Sequence, residues 1–292
     1  MPFILRNEVL IKVKAIGINP VDVRTRAGSA MAGHLKDYRP LILGWDISGE
    51  IVAVGTDVTK FKVGDEVFGM INFLGHGKGY AEYVAAPEEH IAIKPQSITH
   101  EEAAAATLAA LTAWQLLKHY AGVAKGHKIL IQAASGGVGH YAVQIAKHLG
   151  AYVIGVSSTK NRDFVLDIGA DRHIGYDRQY FEDLVKDLDL VVDAFAFDSL
   201  YRSLKVVKPG GKIISLLPMI SNDLKEKARK KDVDVHYALV KSNGEDMQAI
   251  AGLLEKGILK SHIYKVFPFN QMGSAHLEME TGRTVGKIVV NV

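Results

Sequence analysis

The chain has 292 residues, 48% hydrophobic and 23% charged, with 28 glycines and 8 prolines; this is the composition of a folded globular protein, not of a collagenous or low-complexity one, and its length predicts two domains. The formal net charge is +3, and the one basic run, residues 225–231, is interrupted by Glu226 and lacks stacking aromatics, so it reads as a solvated helix face and no nucleic-acid partner is expected. Cysteine is absent, which excludes disulfides, thiolate nucleophiles and cysteine-bound zinc.

In chain order, residues 9–16 alternate apolar side chains with Lys12 and Lys14, residues 46–54 are apolar-rich, and short strands are predicted at 80–84 and 91–93. Glycine and aspartate turns at 55–57 and 64–65 separate them, as in a twisted antiparallel sheet or partial barrel. From His100 the stretch HEEAAAATLAALTAWQLLKHY predicts one long helix, with Glu101 and Glu102 in its first turn, where the dipole favours acids. A βαβ alternation follows: strand 128–133, helix 138–149, strand 152–156, helices 162–168 and 181–186, strand 188–194, helix 199–206 and strand 211–217. Such alternation predicts a parallel sheet covered on both faces. Helix 223–231, strand 233–237, helix 245–256 and strand 263–266 are expected to complete that domain, with 284–292 returning as a strand to the first. No segment approaches the roughly 18 consecutive apolar residues of a membrane span, and the start lacks the pattern of a secretory leader, so a cytoplasmic protein is expected.

The run AASGGVG at 133–139 lies between a predicted buried strand and a predicted helix, the context a dinucleotide-binding turn requires. Ala134, Ser135, Gly136, Gly137 and Val138 are the candidate pyrophosphate residues: small side chains let the backbone approach the phosphates, and the helix start offers amides and a favourable dipole. Ala134 stands where the first glycine of the fingerprint is usual, and Gly139 is expected to let helix and strand pack closely. The bland alternative is a tight strand-to-helix turn. At the end of the next strand an NAD site usually carries an acid for the ribose 2′-hydroxyl. Here the place is Ser157, followed by Ser158, Lys160 and Arg162, so a 2′-phosphate would meet donors and positive charge, and NADPH is the expected cofactor. The alternative is that Lys160 and Arg162 are ordinary exposed residues at a helix start.

At this point the chain resembles the medium-chain dehydrogenase/reductase superfamily, and most of all its zinc-free quinone oxidoreductase branch. The resemblance rests on KVKAIGINPVDVRTRAG at 12–28, LGWDISGEIVAVG at 43–55, FKVGDEVFG at 61–69, GYAEYV at 79–84, LTAWQLL at 111–117, AASGGVG, LDIGADRHIGY at 166–176 and GKIVV at 286–290. It implies a Rossmann-type doubly wound parallel sheet at 106–266, binding NADP, and a β-rich GroES-like catalytic domain formed by 1–105 with 267–292. In zinc alcohol dehydrogenases of the superfamily a cysteine ligand matches Asn19 and a histidine lies in the segment matching 44–46; this chain has neither.

By the same resemblance, Asn19 and Thr112 are the candidate catalytic residues, Asn19 beside the substrate carbonyl and Thr112 beside the nicotinamide. Tyr176 would reach the 2′-phosphate with Ser157 and Lys160, and Phe195, Leu216 and Leu217 would flank ribose and nicotinamide. The bland alternatives are that Asn19 caps the turn before Pro20 and that Thr112 bonds its own helix backbone. Arg24 stands where relatives often have a substrate-binding tyrosine. Relatives also carry an additional strand-turn-strand before the segment matching 8–15, so the first sheet is expected to expose an edge. The implied activity is NADPH-dependent reduction of a quinone or α,β-unsaturated carbonyl without zinc, in a homodimer built by sheet extension. The alternatives are an enoyl-thioester reductase, a zinc-free alcohol dehydrogenase and a non-catalytic NADPH-binding protein.

Overall fold

The computed structural model describes residues 1–292, which divide into two compact units: Met1–Leu111 with Lys241–Val292, and Thr112–Val240. The first unit opens with β1 (Glu8–Ile18), α1 (Pro20–Arg26), α2 (Ala32–Leu35), β2 (Asp46–Val54), β3 (Glu66–Met70), β4 (Tyr83–Pro87), β5 (Ile91–Ile93), α3 (His100–Ala105) and α4 (Leu108–Gln115). The second contains β6 (Lys128–Gln132), α5 (Gly137–His148), β7 (Tyr152–Ser157), α6 (Arg162–Asp167), β8 (Arg172–Gly175), β9 (Leu188–Asp193), α7 (Asp198–Ser203), β10 (Val207–Ser215), α8 (Asn222–Lys230) and β11 (Asp234–Tyr237). The chain then returns to the first through α9 (Gly244–Glu255), β12 (Ile263–Pro268), α10 (Met272–Glu280) and β13 (Lys287–Asn291).

In the first unit β1 is the organising strand. It pairs antiparallel with β2 along one side and, along the other, with β4 and then β13. Its two edges are therefore occupied, and the expected exposed edge does not occur at β1. Val9, Ile11 and Val13 from β1 meet Ile47, Ile51, Val67 and Val84 in the core of this unit.

The helix expected from His100 is interrupted. Thr99 and Glu102 form a capping box that starts α3, as the acidic first turn implied. After Ala105 the Thr107 hydroxyl bonds Ala104 O at 2.8 Å, and Leu108 N donates to the buried Asp46 carboxylate at 3.0 Å. Alanine-rich composition favours continuous helix, but a buried carboxylate that needs donors takes an amide from the helical ladder. Past α4 a π-helical turn, Leu116–Tyr120, ends the run.

The second unit is a six-stranded parallel sheet in the order β11-β10-β9-β6-β7-β8. The direction of winding reverses between β6 and β9, which makes the carboxyl ends of these strands the switch point where α/β sheets bind ligands. The expected strands and helices occur within a few residues of their anticipated bounds, except that 181–186 holds only a 3-10 turn, Phe181–Asp183. In the chain as a whole β3, β8, α1, α2 and α10 were not anticipated.

The unit boundaries differ from those expected. Residues 241–266 were assigned to the parallel-sheet domain, but α9 packs on β5, and β12 pairs in parallel with β13 in the first sheet. A helix and strand after β11 look in sequence like one more βα repeat; only the β12–β13 register reveals their allegiance.

Gly139 shows why the strand-to-helix turn needs glycine: a Cβ there would lie 2.0 Å from Ala133 O. Gly139→Ala is expected to lower the stability of the protein by about 3 kcal/mol or more, the upper part of the range for overpacking against immovable backbone. Urea unfolding measures it, and a loss below about 1 kcal/mol would contradict the contact.

Candidate functional site

The turn between β6 and α5 is built from four small residues. Ala133 takes φ +48°, and Gly136 N bonds Ala133 O at 2.8 Å, closing the turn. Ala134 is fully buried, its amide donates to Val156 O at 3.0 Å, and its methyl faces Gly155, where a Cβ would come within 3.0 Å. Ala134 is therefore a packing residue whose amide belongs to the sheet, and Gly155 across the strand pair leaves room for its methyl. Ser135 accepts from Asn161 Nδ2 at 2.9 Å. No side chain caps α5, whose N-cap is Gly136, so the first amides of a twelve-residue helix face outward from a turn without bulky side chains. A dinucleotide's pyrophosphate fits this arrangement.

At the end of β7 the Ser157 hydroxyl is buried and lies 2.8 Å from His173 Nε2 on β8. Burial, and the nearby Arg162 guanidinium, hold the His173 pKa below the usual histidine value, so the ring is neutral near pH 7. Ser158 precedes a 3-10 turn in which Thr159 N and Oγ1 both bond Asp177 Oδ1, at 2.7 and 2.9 Å. Lys160 is exposed without an ion-pair partner, and Tyr176 is also exposed. The structure thus gathers Ser157, Ser158, Lys160 and Tyr176 around the carboxyl ends of β7 and β8, and adds His173, which the sequence reading did not select.

The loop after β9 depends on another residue missed in sequence. Asp193 is fully buried; its Oδ1 accepts from Phe195 N and Ala196 N, both at 2.9 Å. Its Oδ2 accepts from Ser203 Oγ and Gln132 Nε2 at 3.0 and 3.2 Å and lies 2.8 Å from Ser199 Oγ. These bonds hold Ala196 and Phe197 at positive φ, +59° and +49°, with Phe195 and Phe197 exposed, a conformation that costs non-glycine residues free energy unless the surroundings impose it. Leu216 N bonds Asp193 O at 2.8 Å and Leu217 N bonds Ser215 Oγ at 3.1 Å, so the loop after β10 is tied to the same strand end. An acid closing the apolar run LDLVVD was the available signal. Thr112, in α4, is buried.

In the first unit Asn19 is buried at the start of α1, where Pro20 pre-sets the helical φ. Its backbone N donates to Asp22 Oδ2 at 2.7 Å, its Nδ2 donates to Asp46 Oδ2 at 2.7 Å, and its Oδ1 accepts from Lys287 Nζ. Lys287 also donates to Ile18 O at 3.1 Å and lies 3.7 Å from Asp46 Oδ2. Asn19 stands at the N-cap of α1, where its backbone O accepts from Asp22 N, but its side-chain amide turns to a cluster of charges. Asp22, Asp46 and Lys287 are as buried as Asn19 itself. None was selected from sequence, where the signal was a lysine inside the apolar strand GKIVV.

Two carboxyls share one ammonium here. Asp46 has Lys287, the Asn19 amide and Leu108 N to oppose its desolvation, whereas Asp22 Oδ1 has no hydrogen-bond partner. Burial, then repulsion from Asp46, raise the Asp22 pKa to about 7. Burial also pushes the Asp46 pKa up and the Lys287 pKa down, and the attraction between the two opposes both shifts, whereas Asp22 is the carboxyl that holds a proton as neutrality is approached.

Between its ordinary value of 3.8 and about 7, Asp22 is protonated in the folded chain and ionised in the unfolded one, so stability falls as pH rises through this window. At about 1.4 kcal/mol per pH unit the full difference is about 4 kcal/mol. Asp22→Asn, which keeps an acceptor for Asn19 N, is expected to lose this slope, so its stability relative to the wild type should improve from pH 4 to pH 8. Parallel urea-derived stability curves for the two proteins across that range would mean that Asp22 holds no proton.

No three His, Asp or Glu side chains converge where a metal ion could sit, and with cysteine absent the residues present do not fit a resident zinc. Residues 6–96 match the alcohol dehydrogenase GroES-like domain, and 168–290 match the zinc-binding dehydrogenase domain. A 2-methylene-furan-3-one reductase of Solanum lycopersicum is 35% identical over all of this chain and 73% of its own length. A chloroplastic NADPH-dependent alkenal/one oxidoreductase of Arabidopsis thaliana is 32% identical over 99% of this chain and 73% of its own. The solved quinone oxidoreductase of Coxiella burnetii superposes with a TM-score of 0.93 at 35% identity, covering 100% of this chain and 92% of that one. With these relatives, a GroES-like first unit and a Rossmann-type second, the chain belongs to the medium-chain dehydrogenase/reductase superfamily, among its quinone oxidoreductase-like members.

Proposed function

We propose that this chain is an NADPH-dependent reductase of quinones or α,β-unsaturated carbonyls that works without zinc. The observation that carries the reading is the end of β7. Where an NAD enzyme presents a carboxylate to the ribose, this chain has Ser157 and Ser158 with Lys160 exposed beside them, and Asp177 is committed to the Thr159 turn. A 2′-phosphate there meets hydroxyls and a cation instead of repulsion. The names of the relatives support the substrate class: one is a furanone reductase, one an NADPH-dependent alkenal/one oxidoreductase, one a quinone oxidoreductase.

When bound, the nicotinamide supplies the hydride for the electron-poor carbon. Everything else falls to the chain. Ser135, Gly136 and the first amides of α5, from Gly137 and Val138, hold the pyrophosphate. Ser157, Ser158, Lys160 and Tyr176 take the phosphorylated ribose, while Phe195, Leu216 and Leu217 shape the loops over the cofactor and Thr112 borders the nicotinamide. Asn19 donates an N–H to the substrate oxygen and stabilises the negative charge that develops there. No metal is needed for that polarisation. β11, an edge strand of the parallel sheet, offers the surface for a homodimer, and the cytoplasm is the proposed compartment.

Lys160→Ala is expected to weaken NADPH binding about 10- to 100-fold, the worth of a charge-assisted hydrogen bond, and to leave NADH nearly unchanged. Fluorescence titration with both cofactors measures it, and equal effects would refute the 2′-phosphate assignment. NADPH oxidation is expected with quinones or enones; tight NADPH binding without turnover on quinones, enones or enoyl thioesters would identify a binding protein instead.

A further inference from the structure

We propose that Lys287 and Asp46 are positioning residues that fix the Asn19 side chain in one of its two amide orientations, leaving an N–H, and never the carbonyl oxygen, to meet the substrate. The inference rests on the reading of Asn19 as the group that meets the substrate oxygen. An asparagine amide can turn end for end, exchanging a two-hydrogen donor for an acceptor. In most proteins the two orientations are told apart only by weighing neighbours.

Here the neighbours admit one answer. Lys287 is a donor with no acceptor capacity, and it bonds Asn19 Oδ1. Asp46, whose Oδ2 lies 3.7 Å from that same lysine, accepts from Asn19 Nδ2 at 2.7 Å. Reversal would set an NH₂ group against an ammonium and a carbonyl oxygen against a carboxylate, in a site closed to water, where neither repulsion is screened. The backbone is held as well, because Asn19 N is bonded to Asp22 and Pro20 follows.

Oδ1 is occupied by the lysine, and one hydrogen of Nδ2 by Asp46. The second hydrogen of Nδ2 is the one left for the substrate oxygen that the proposed function places there. The ammonium at Oδ1 also draws electron density from the amide and strengthens its nitrogen as a donor. A buried ion pair is weak evidence for a role in stability, since well-packed neutral replacements often serve as well. Around this amide the role its geometry gives it is orientation.

The test is a cycle of variants of the full chain with NADPH and methyl vinyl ketone. Asn19→Ala is expected to lower kcat about 100-fold, as loss of one preorganised donor does. The pair is removed together, as Lys287→Met with Asp46→Asn, so that no lone charge stays buried. This double variant is expected to keep the wild-type circular dichroism and NADPH affinity, and to lose at least 10-fold in kcat. In its background Asn19→Ala should cost less than about 3-fold more, the non-additivity of residues acting as a unit. Equal costs of Asn19→Ala in both backgrounds would overturn the positioning role. No effect of Asn19→Ala in the wild type would overturn it together with the reading of Asn19.

A second measurement does not depend on turnover. In protein labelled with ¹⁵N-asparagine, the Asn19 side chain is expected to give two widely separated, slowly exchanging proton signals, which the double variant averages toward solvent-like values. Unchanged signals in that variant would overturn the proposal. Distinct signals that collapse on removal of the pair would uphold it even if no substrate were reduced, in which case only the proposed activity would fail.

Discussion

A lysine sealed from water in a strand of aliphatic residues sets the terms for the first unit. Lys287 stands in β13, far in sequence from everything it touches, and its ammonium is tolerable there only because Ile18 O, Asn19 Oδ1 and the Asp46 carboxylate surround it. Those partners come from the end of β1, the start of α1 and the start of β2. One buried charge therefore requires three strands to be in register and one helix to begin at a particular residue. The same carboxylate takes the Leu108 amide and breaks the alanine-rich helix after α3. A local interruption that composition argues against is the consequence of satisfying a charge elsewhere.

The second unit solves a similar problem without net charge pairing. Asp193 ends β9 and accepts five short contacts from backbone amides, hydroxyls and a carboxamide. Together these substitute for water and hold the next residues at positive φ. The strain at Ala196 and Phe197 is local and modest, of order 1–3 kcal/mol each, and the amides bonded to Asp193 Oδ1 are what sustain it. Both units thus use a buried carboxylate to dictate the backbone next to a candidate site. In each case the acid touches loop or helix-start amides, so its influence is on where neighbouring groups point.

What could be read in the sequence was whatever local backbone geometry determines. The turn at 133–139 was legible because a strand, small residues and a helix must follow one another within a few residues, and the close approach of Gly139 to Ala133 O is a constraint inside that turn. Ser157 and Lys160 became candidates because they stand at a fixed distance beyond it, and the structure sets them at the end of β7 and in the turn that follows. The partners of Asn19 were not, because a hydrogen bond between residues 19 and 287 leaves no periodic trace. Lys287 read as an ordinary residue of a terminal strand, and Asp46 as part of a turn-strand segment. For the same reason α9 and β12 were placed with the wrong sheet: the βα rhythm continues through them, and the pairing of β12 with β13 is a fact of register alone.

Ala134 shows how a departure from a motif is absorbed. The fingerprint expects glycine there for the tightness of the turn, yet the methyl of Ala134 is accommodated and fully buried. The space comes from Gly155 on β7, where any Cβ would crowd both Ala134 and Val165, at 3.0 and 2.5 Å. Of these two facing positions, one carries a methyl and the other no side chain. A motif written as a string of residues records one solution to that packing condition. The condition itself belongs to the pair of strands, which is why a relaxed match at 134 leaves the turn, its hydrogen bonds and the uncapped start of α5 intact.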